Sequence, residues 1–172
     1  WDTFRAFHPL MTLLEPELTG NWITGLLQMY KEGGWMPMWP NPSYTNIMIG
    51  THADALIADA YMKGIRNYDT DLAYEAMRKN AMVPPDCDTQ RRYGDRDRWT
   101  SFEARAGASF YHTIGYVPDD KTAESVSRTL EYAYDDWCIA QVAKEMGKMD
   151  DYKSLMQWSQ NYKNIYLSLI HI

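Results

Sequence analysis

Apolar residues recur in this chain three and four positions apart, in runs that close on glycine, and nothing between the runs alternates as a strand would. A first run, Thr3 to about Leu14, aligns Phe4, Phe7, Leu10, Met11 and Leu14. Pro9 inside it predicts a kink or a restart, because proline removes an amide donor and crowds the preceding turn. A second, about Pro16 to Glu32, carries Leu18, Trp22, Ile23, Leu26, Leu27 and Tyr30 and stops at Gly33 and Gly34. A third spans about Asn46 to Met62 before Gly64, and a fourth follows Asp69, a good N-cap, to about Met82. A fifth runs from about Phe102 to Ile114 before Gly115. A sixth follows "PDD" and ends at Gly147, with Val126, Leu130, Ala133, Trp137 and Ala140 along one stripe read as its buried face. A seventh starts at Asp150 or Asp151 and reaches about Tyr166. Glycine recurs at these ends because a left-handed residue costs little without a Cβ. Short connections make neighbouring helices antiparallel. The pattern therefore predicts an all-α fold of helix pairs, either an α/α toroid or a helical repeat array, and the lack of a fixed-period repeat favours the toroid.

Composition narrows the partners. With 172 residues, 45% of them hydrophobic, the chain can bury one domain-sized core. Its first residue is Trp1, already inside the dense motif "WDTFR", so it reads as a piece of a longer protein whose signal peptide, if it has one, lies upstream. No window approaches the roughly 18 apolar residues of a membrane span. A net charge of -6 argues against a nucleic-acid groove, and "RRYGDRDR" (91–98) reads as a solvated loop because two aspartates interrupt it. Cys87 lies in a loop rich in Pro and Asp and Cys138 in the sixth run, so Cys138 is expected to be buried and inert, not bridged. The aromatic share is 14%, with seven Trp and thirteen Tyr. Flat faces with a polar handle suit sugar rings and large helical cores alike.

Two segments interrupt the helical pattern. "GGWMPMWPNPSYT" (33–45) packs three prolines and two tryptophans between helices, a stiff aromatic loop suited to walling a ligand. The stretch 83–101 is polar and charged and reads as a surface excursion.

Three constellations carry possible chemistry. In "WDTFR", Asp2 can take two hydrogen bonds from sugar hydroxyls while Trp1 stacks, or it can cap a helix with Arg5 as ion-pair partner. In "GTHADALIADAYMKG" (50–64), His52 and Asp54 stand two residues apart and share no helical face, which favours a polar contact with a ligand or a neighbouring helix over a metal site. In "LEYAYDDW" (130–137), Asp136 shares a face with Tyr132 and Ala140, and Asp135 lies beside Glu131. One aspartate can point along the core edge toward a cavity and the other to solvent, or both can be solvated.

The motifs "WDTFRAFHPLMTLLEP", "GGWMPMW", "TNIMIGTHADALIADAYMKGI", "GYVPDD", "SVSRTLEYAYDDWCIAQVAKEMGK" and "NYKNIY" occur in an order that resembles glycoside hydrolase family 92, the calcium-dependent exo-acting α-mannosidases. The resemblance covers nearly the whole chain. It implies an incomplete (α/α)6 toroid over residues 1–166, preceded in the full enzyme by an N-terminal β-sandwich and completed by further toroid helices. Residues 167–172, "LSLIHI", leave the family pattern and read as a foreign tail. The resemblance also implies inverting release of terminal α-linked mannose from glycans such as N-glycans, with acid and base about 6.5–9.5 Å apart across a water. Calcium would contact vicinal hydroxyls of the sugar. An extracellular, secretory or periplasmic location follows from glycan and calcium together.

The family's general-acid motif, Glu-Gly-Asn-x-Trp, and its later acidic base motif are absent from these residues. No catalytic residue and no calcium ligand is therefore assigned, and the chain alone is expected to be inactive. What the resemblance assigns is wall and floor. Asp2 with Trp1, then Trp39, His52 and Asp54, are the expected sugar contacts. Arg5 and Asp136 are expected to support the cavity from behind, with Asp135 at its rim. The chain departs from many relatives at "WPNPSYTN", where Pro40 and Tyr44 stand in place of an expected glutamate, which puts linkage preference in question. Another α/α-toroid glycosidase (a class I mannosidase or a trehalase-like enzyme) and a non-catalytic carbohydrate-binding helical domain are the alternatives.

Overall fold

A computed structural model describes residues 2–40, 44–45, 48–90 and 105–165. Trp1, most of the 83–101 excursion and the 167–172 tail lie outside the described residues. The helices are α1 Phe7–Leu14, α2 Pro16–Gly33, α3 Ala53–Met62, α4 Thr70–Met82, α5 Ala108–Ile114, α6 Ser125–Glu145 and α7 Met149–Trp158, with short 3-10 turns at Asp2–Phe4 and Asn161–Asn164. No strand occurs among the described residues.

Local chemistry sets most of these ends. The Asp69 carboxylate accepts from the Leu72 amide at 3.0 Å and so starts α4. Pro9 sits in the first turn of α1, where the amide it lacks would have had no partner, and the chain restarts there after the Asp2–Phe4 turn. Three elements are shorter than their patterns. The third run does not begin near Asn46, because Met48 (φ 68) and Gly50 (φ 100) take left-handed angles that no helix contains, and α3 starts at Ala53. The fifth begins only at Ala108, after Gly107 (φ 82). The seventh ends at Trp158, and a 3-10 turn follows.

Packing alternates along the chain. α3 touches α1, α2, α4 and α6; α2 also packs on α1 and α4; α7 lies along α6. Helices α1, α3 and α6 thus form one layer and α2, α4 and α7 the other, an arc of antiparallel pairs as in an α/α toroid. The core between the layers is Ile23, Leu27, Ile57, Met77, Ile139, Val142 and Leu155. Small side chains on α3 (Ala55, Ala58, Ala60) let the neighbouring helices close in.

The sixth helix corrects the expected stripe. Ala133 and Ala140 are buried, but Val126, Leu130 and Trp137 are 57%, 44% and 48% exposed. The inward face is instead Arg128, Thr129, Tyr132, Asp135, Asp136, Ile139 and Val142. Polar residues hold that face because partners answer them there: Arg128 Nε donates to the Ala123 carbonyl, and the Tyr132 hydroxyl to that of Ala106. Cys87 and Cys138 are both free, the latter buried. No described helix is long and apolar enough to cross a membrane.

Candidate functional site

The first turn, the start of α3 and the second turn of α6 meet at one edge. Arg5 Nε lies 3.4 Å from Asp2 Oδ1, and both side chains are exposed. The same guanidinium reaches Glu131 Oε1 at 3.5 Å through Nη2. Glu131 Oε2 stands 3.6 Å from His52 Nε2. Phe4 stacks on the His52 ring with centroids 3.7 Å apart and planes inclined by 19°. Burial raises the Glu131 carboxyl above its usual range, and His52 and Arg5 counter this.

Phe4, Arg5 and Glu131 open onto a cleft of about 810 Å³ between α1, α3 and α6, whose lining also includes Asp59, Tyr134 and Trp137. On the other side of the Phe4 and His52 pair lies a cavity of about 180 Å³ walled by Trp39, Pro37 and Pro40. Aromatic faces interleaved with charged and amide groups are what a hexose ring requires, one apolar face and several hydroxyls. The stiff loop holds that wall. The Tyr44 hydroxyl reaches the carbonyls of Met29 and Trp35 at 2.5 and 2.6 Å, and Lys79 Nζ donates to the Gly34 carbonyl while lying 4.5 Å from the Trp35 ring centroid.

The orientation of His52 has a steric cause. Gly50 has φ 100, and a Cβ built on it would come within 2.4 Å of His52 Cε1 and Nε2. The imidazole occupies the space that a side chain at position 50 would need. Its Nδ1 faces inward, 3.1 Å from Asp135 Oδ1.

Behind His52 is a buried ionic cluster. Arg105, Asp54, Asp135 and Asp136 have no solvent exposure. The Arg105 guanidinium donates to Asp136 Oδ1 through Nη1, to Asp54 Oδ2 through Nη2 at 3.4 Å, and to the Thr51 hydroxyl through Nε at 3.2 Å. Thr51 Oγ1 lies 2.6 Å from Asp54 Oδ2 and 3.1 Å from Asp135 Oδ2, and the Thr51 amide donates to Asp135 Oδ2 at 2.7 Å. The Tyr111 hydroxyl is 2.9 Å from Asp136 Oδ2. Burial alone would lower the Arg105 pKa, but Asp136, Asp54 and Asp135 together hold it above the usual arginine value. Burial pushes Asp136 up to about 6, against the pull of Arg105, and raises the Tyr111 phenol.

The cluster corrects two assignments. Asp54 is not on the sugar wall: its carboxyl is sealed among Thr51, Arg105 and the other aspartates. Asp135 is not at the rim, since it has no exposure and its oxygens are taken by Thr51 and His52. Asp136 lies behind the cavity, bound to Arg105 and Tyr111. Arg5 lines the cleft with the exposed Asp2 beside it, while His52 stands behind Glu131 and shares the smaller cavity with Trp39. Asp2 does not cap α1, whose N-cap is Ala6. Sequence reasoning missed Glu131, Thr51, Arg105 and Tyr111. A signal existed for Glu131, one helical turn before Asp135 and on the same face. Buried carboxylates demand a cation, but nothing local singles out Arg105 as that cation.

No group of three or more His, Cys, Asp and Glu side chains that could hold a metal ion occurs among the described residues. The carboxylates that do converge are committed to Arg105, Thr51, His52 and Tyr111. They do not make a calcium site.

Known proteins agree with this architecture. An inverting family 92 mannosidase from Bacteroides thetaiotaomicron VPI-5482 superposes with a TM-score of 0.81 at 40% identity, over 97% of this chain and 21% of that one. A family 92 α-mannosidase from Bacteroides thetaiotaomicron, also solved with mannoimidazole, superposes at 0.77 and 37% identity over 95% of this chain and 20% of that one. An uncharacterized secreted glycosidase of Arthroderma benhamiae is 38% identical over 154 residues, 82% of this chain and 18% of that protein. The chain thus spans about a fifth of the length of these relatives. A class I mannosidase or trehalase-like toroid is set aside by these matches. With the Glycosyl hydrolase family 92 catalytic domain matched over residues 1–170, the chain belongs to that family.

Proposed function

We propose that this chain forms a sugar-contacting wall in the catalytic domain of a glycoside hydrolase that releases terminal α-linked mannose by an inverting, calcium-assisted mechanism. The observation that carries the reading is a chain of contacts from exposed Asp2 through Arg5 and Glu131, which line an aromatic cleft, to His52 behind them, in a chain of this family. Asp2 and Arg5 are the solvent-facing pair, placed to exchange hydrogen bonds with vicinal hydroxyls. Phe4, Tyr134 and Trp137 supply apolar faces to the ring. His52 and Glu131 bound the floor. None of these residues is assigned as general acid or base, and the 172 residues alone are proposed to be inactive. Inversion is supported by the named activity of the similar mannosidase. Calcium is proposed with ligands outside the described residues. A secreted location is supported by the name of the Arthroderma benhamiae relative.

The test uses the full-length native protein and a simple α-mannoside. Mannose should be released with the β-anomer appearing first by proton NMR, and EDTA should abolish release until calcium is restored. Asp2→Ala should lower kcat/KM by about 100-fold or more, equivalent to about 2.7 kcal/mol. It should leave the melting temperature unchanged, because the side chain is exposed and its partner is Arg5. Release of the α-anomer first, full activity in EDTA, or unchanged kinetics in the variant would each remove the corresponding part of the reading.

A further inference from the structure

We infer that Asp54 is held as a neutral carboxylic acid that donates to Thr51, leaving Asp135 as the carboxylate that grips the His52 imidazole. The first ground is a count of hydrogens. The Thr51 hydroxyl carries one, yet its oxygen lies 2.6 Å from Asp54 Oδ2 and 3.1 Å from Asp135 Oδ2. Two oxygens at 2.6 Å without a hydrogen between them repel, and the same holds less strongly at 3.1 Å. Both contacts are served only if one carboxyl brings its own proton. With the proton on Asp54, its O–H donates to Thr51, the Thr51 O–H donates to Asp135, and Arg105 Nε fills the remaining lone pair of Thr51 at 3.2 Å.

The second ground selects Asp54 over Asp135. Both oxygens of Asp135 are engaged, Oδ2 by the Thr51 amide at 2.7 Å and Oδ1 by His52 Nδ1 at 3.1 Å. Asp54 Oδ1 is buried with no hydrogen-bond partner. An unpartnered oxygen of a buried carboxylate is severely destabilising, whereas the carbonyl oxygen of a neutral acid loses far less.

The third ground is charge. Three fully buried carboxyls, Asp54, Asp135 and Asp136, face one guanidinium, Arg105, with His52 and the neutral groups Thr51 and Tyr111 completing the shell. Burial drives the Asp54 pKa well above the usual carboxylate range; Asp135 and Asp136 add to it, and Arg105 and Thr51 oppose it. With Asp54 neutral, the buried negative charge facing Arg105 falls from three carboxylates to two. Arg105 is the counter-charge of Asp136 and Asp135, Asp135 also engages His52 Nδ1, and Asp54 is the uncharged link between them.

Asp54 is thereby a positioning residue. It acts through Thr51 and Asp135 to keep a hydrogen on His52 Nδ1, which turns Nε2 toward Glu131 and the cleft.

The experiment is infrared difference spectroscopy on the full-length native protein, wild type minus Asp54→Asn, at pH 8. At that pH Asp136, whose carboxyl is pushed up to about 6, is ionised and silent in the neutral-acid region. A carboxylic-acid carbonyl band present in the wild type and lost in the variant is the expected result, with no fall in melting temperature, because asparagine keeps an uncharged donor in the same place. A wild type without that band at pH 8 overturns the inference. If the variant does not fold, neutron diffraction of the wild type decides. Deuterium on Asp54 Oδ2 and on His52 Nδ1 is expected, and a bare Asp54 with the Thr51 deuteron pointing at it overturns the assignment. Neither readout involves a substrate, so failure here would leave the glycosidase reading standing.

Discussion

On one face of α6, Arg128, Asp135 and Asp136 have no solvent exposure; on the opposite face Leu130, Tyr134 and Trp137 are more than a third exposed. A solitary helix with these residues would be read the other way round. The buried face survives because its charges are answered, Asp136 and Asp135 by Arg105 and Thr51 far away in sequence, and Arg128 by the nearby Ala123 carbonyl and Tyr132 hydroxyl. On the outward face, Tyr134 and Trp137 border the cleft that holds Phe4 and Arg5. The buried ionic face and the open cleft are thus separated by the width of one helix.

Removing the cation should break that contrast most severely. Arg105→Ala leaves Asp136 and Asp135 without their counter-charge in a site closed to water, and a loss of about 3–5 kcal/mol is expected from the urea midpoint. A midpoint close to that of the wild type would mean that the buried face is hydrated and the contrast illusory. Acidity should sharpen the contrast by a smaller amount. The carboxyls of Asp136 and Asp54 are raised above their unfolded-chain values. Their contribution is therefore complete at low pH, below the unfolded value, and is lost as pH rises through the folded one; for Asp136 that is about 6. The Asp136 share alone should fall by about 2–3 kcal/mol between pH 4 and pH 7, and Asp54, raised further, deepens the fall. Asp151, lowered by Arg78 and Tyr74 although burial acts the other way, works in the opposite sense and is more exposed. A urea midpoint that rises steadily over this range would contradict the assignment of raised carboxyls. The outward face should respond least. Leu130→Gln or Trp137→Gln should change stability by no more than about 0.5 kcal/mol, read from the urea midpoint.

Helix existence was legible in the sequence because it is a local property. The Asp69 cap, the proline at the start of α2 and the glycines after α2, α3, α5 and α6 mark real ends. Where the pattern overran, backbone angles decided: Met48 is a non-glycine residue in a left-handed conformation, and no periodicity of side chains predicts that. The cleft mouth was partly legible, because Asp2, Arg5 and His52 lie in dense motifs. The cluster behind it was not. Thr51 and Asp135 are 84 residues apart, and Arg105 and Asp136 are 31 apart. Residues joined over such distances leave no spacing to read. Asp54 shows the cost of reading type without depth, since an acidic residue at a helix entrance looks like a ligand contact until its burial is known.

Position 50 carries a consequence out of proportion to its size. A single methyl group there would collide with an imidazole two residues along the chain and would also strain a backbone held at φ 100. The ring would have to swing, giving up either the Phe4 stack or the Asp135 bond. The bareness of Gly50 is thus an aiming device: a missing carbon decides where a nitrogen points.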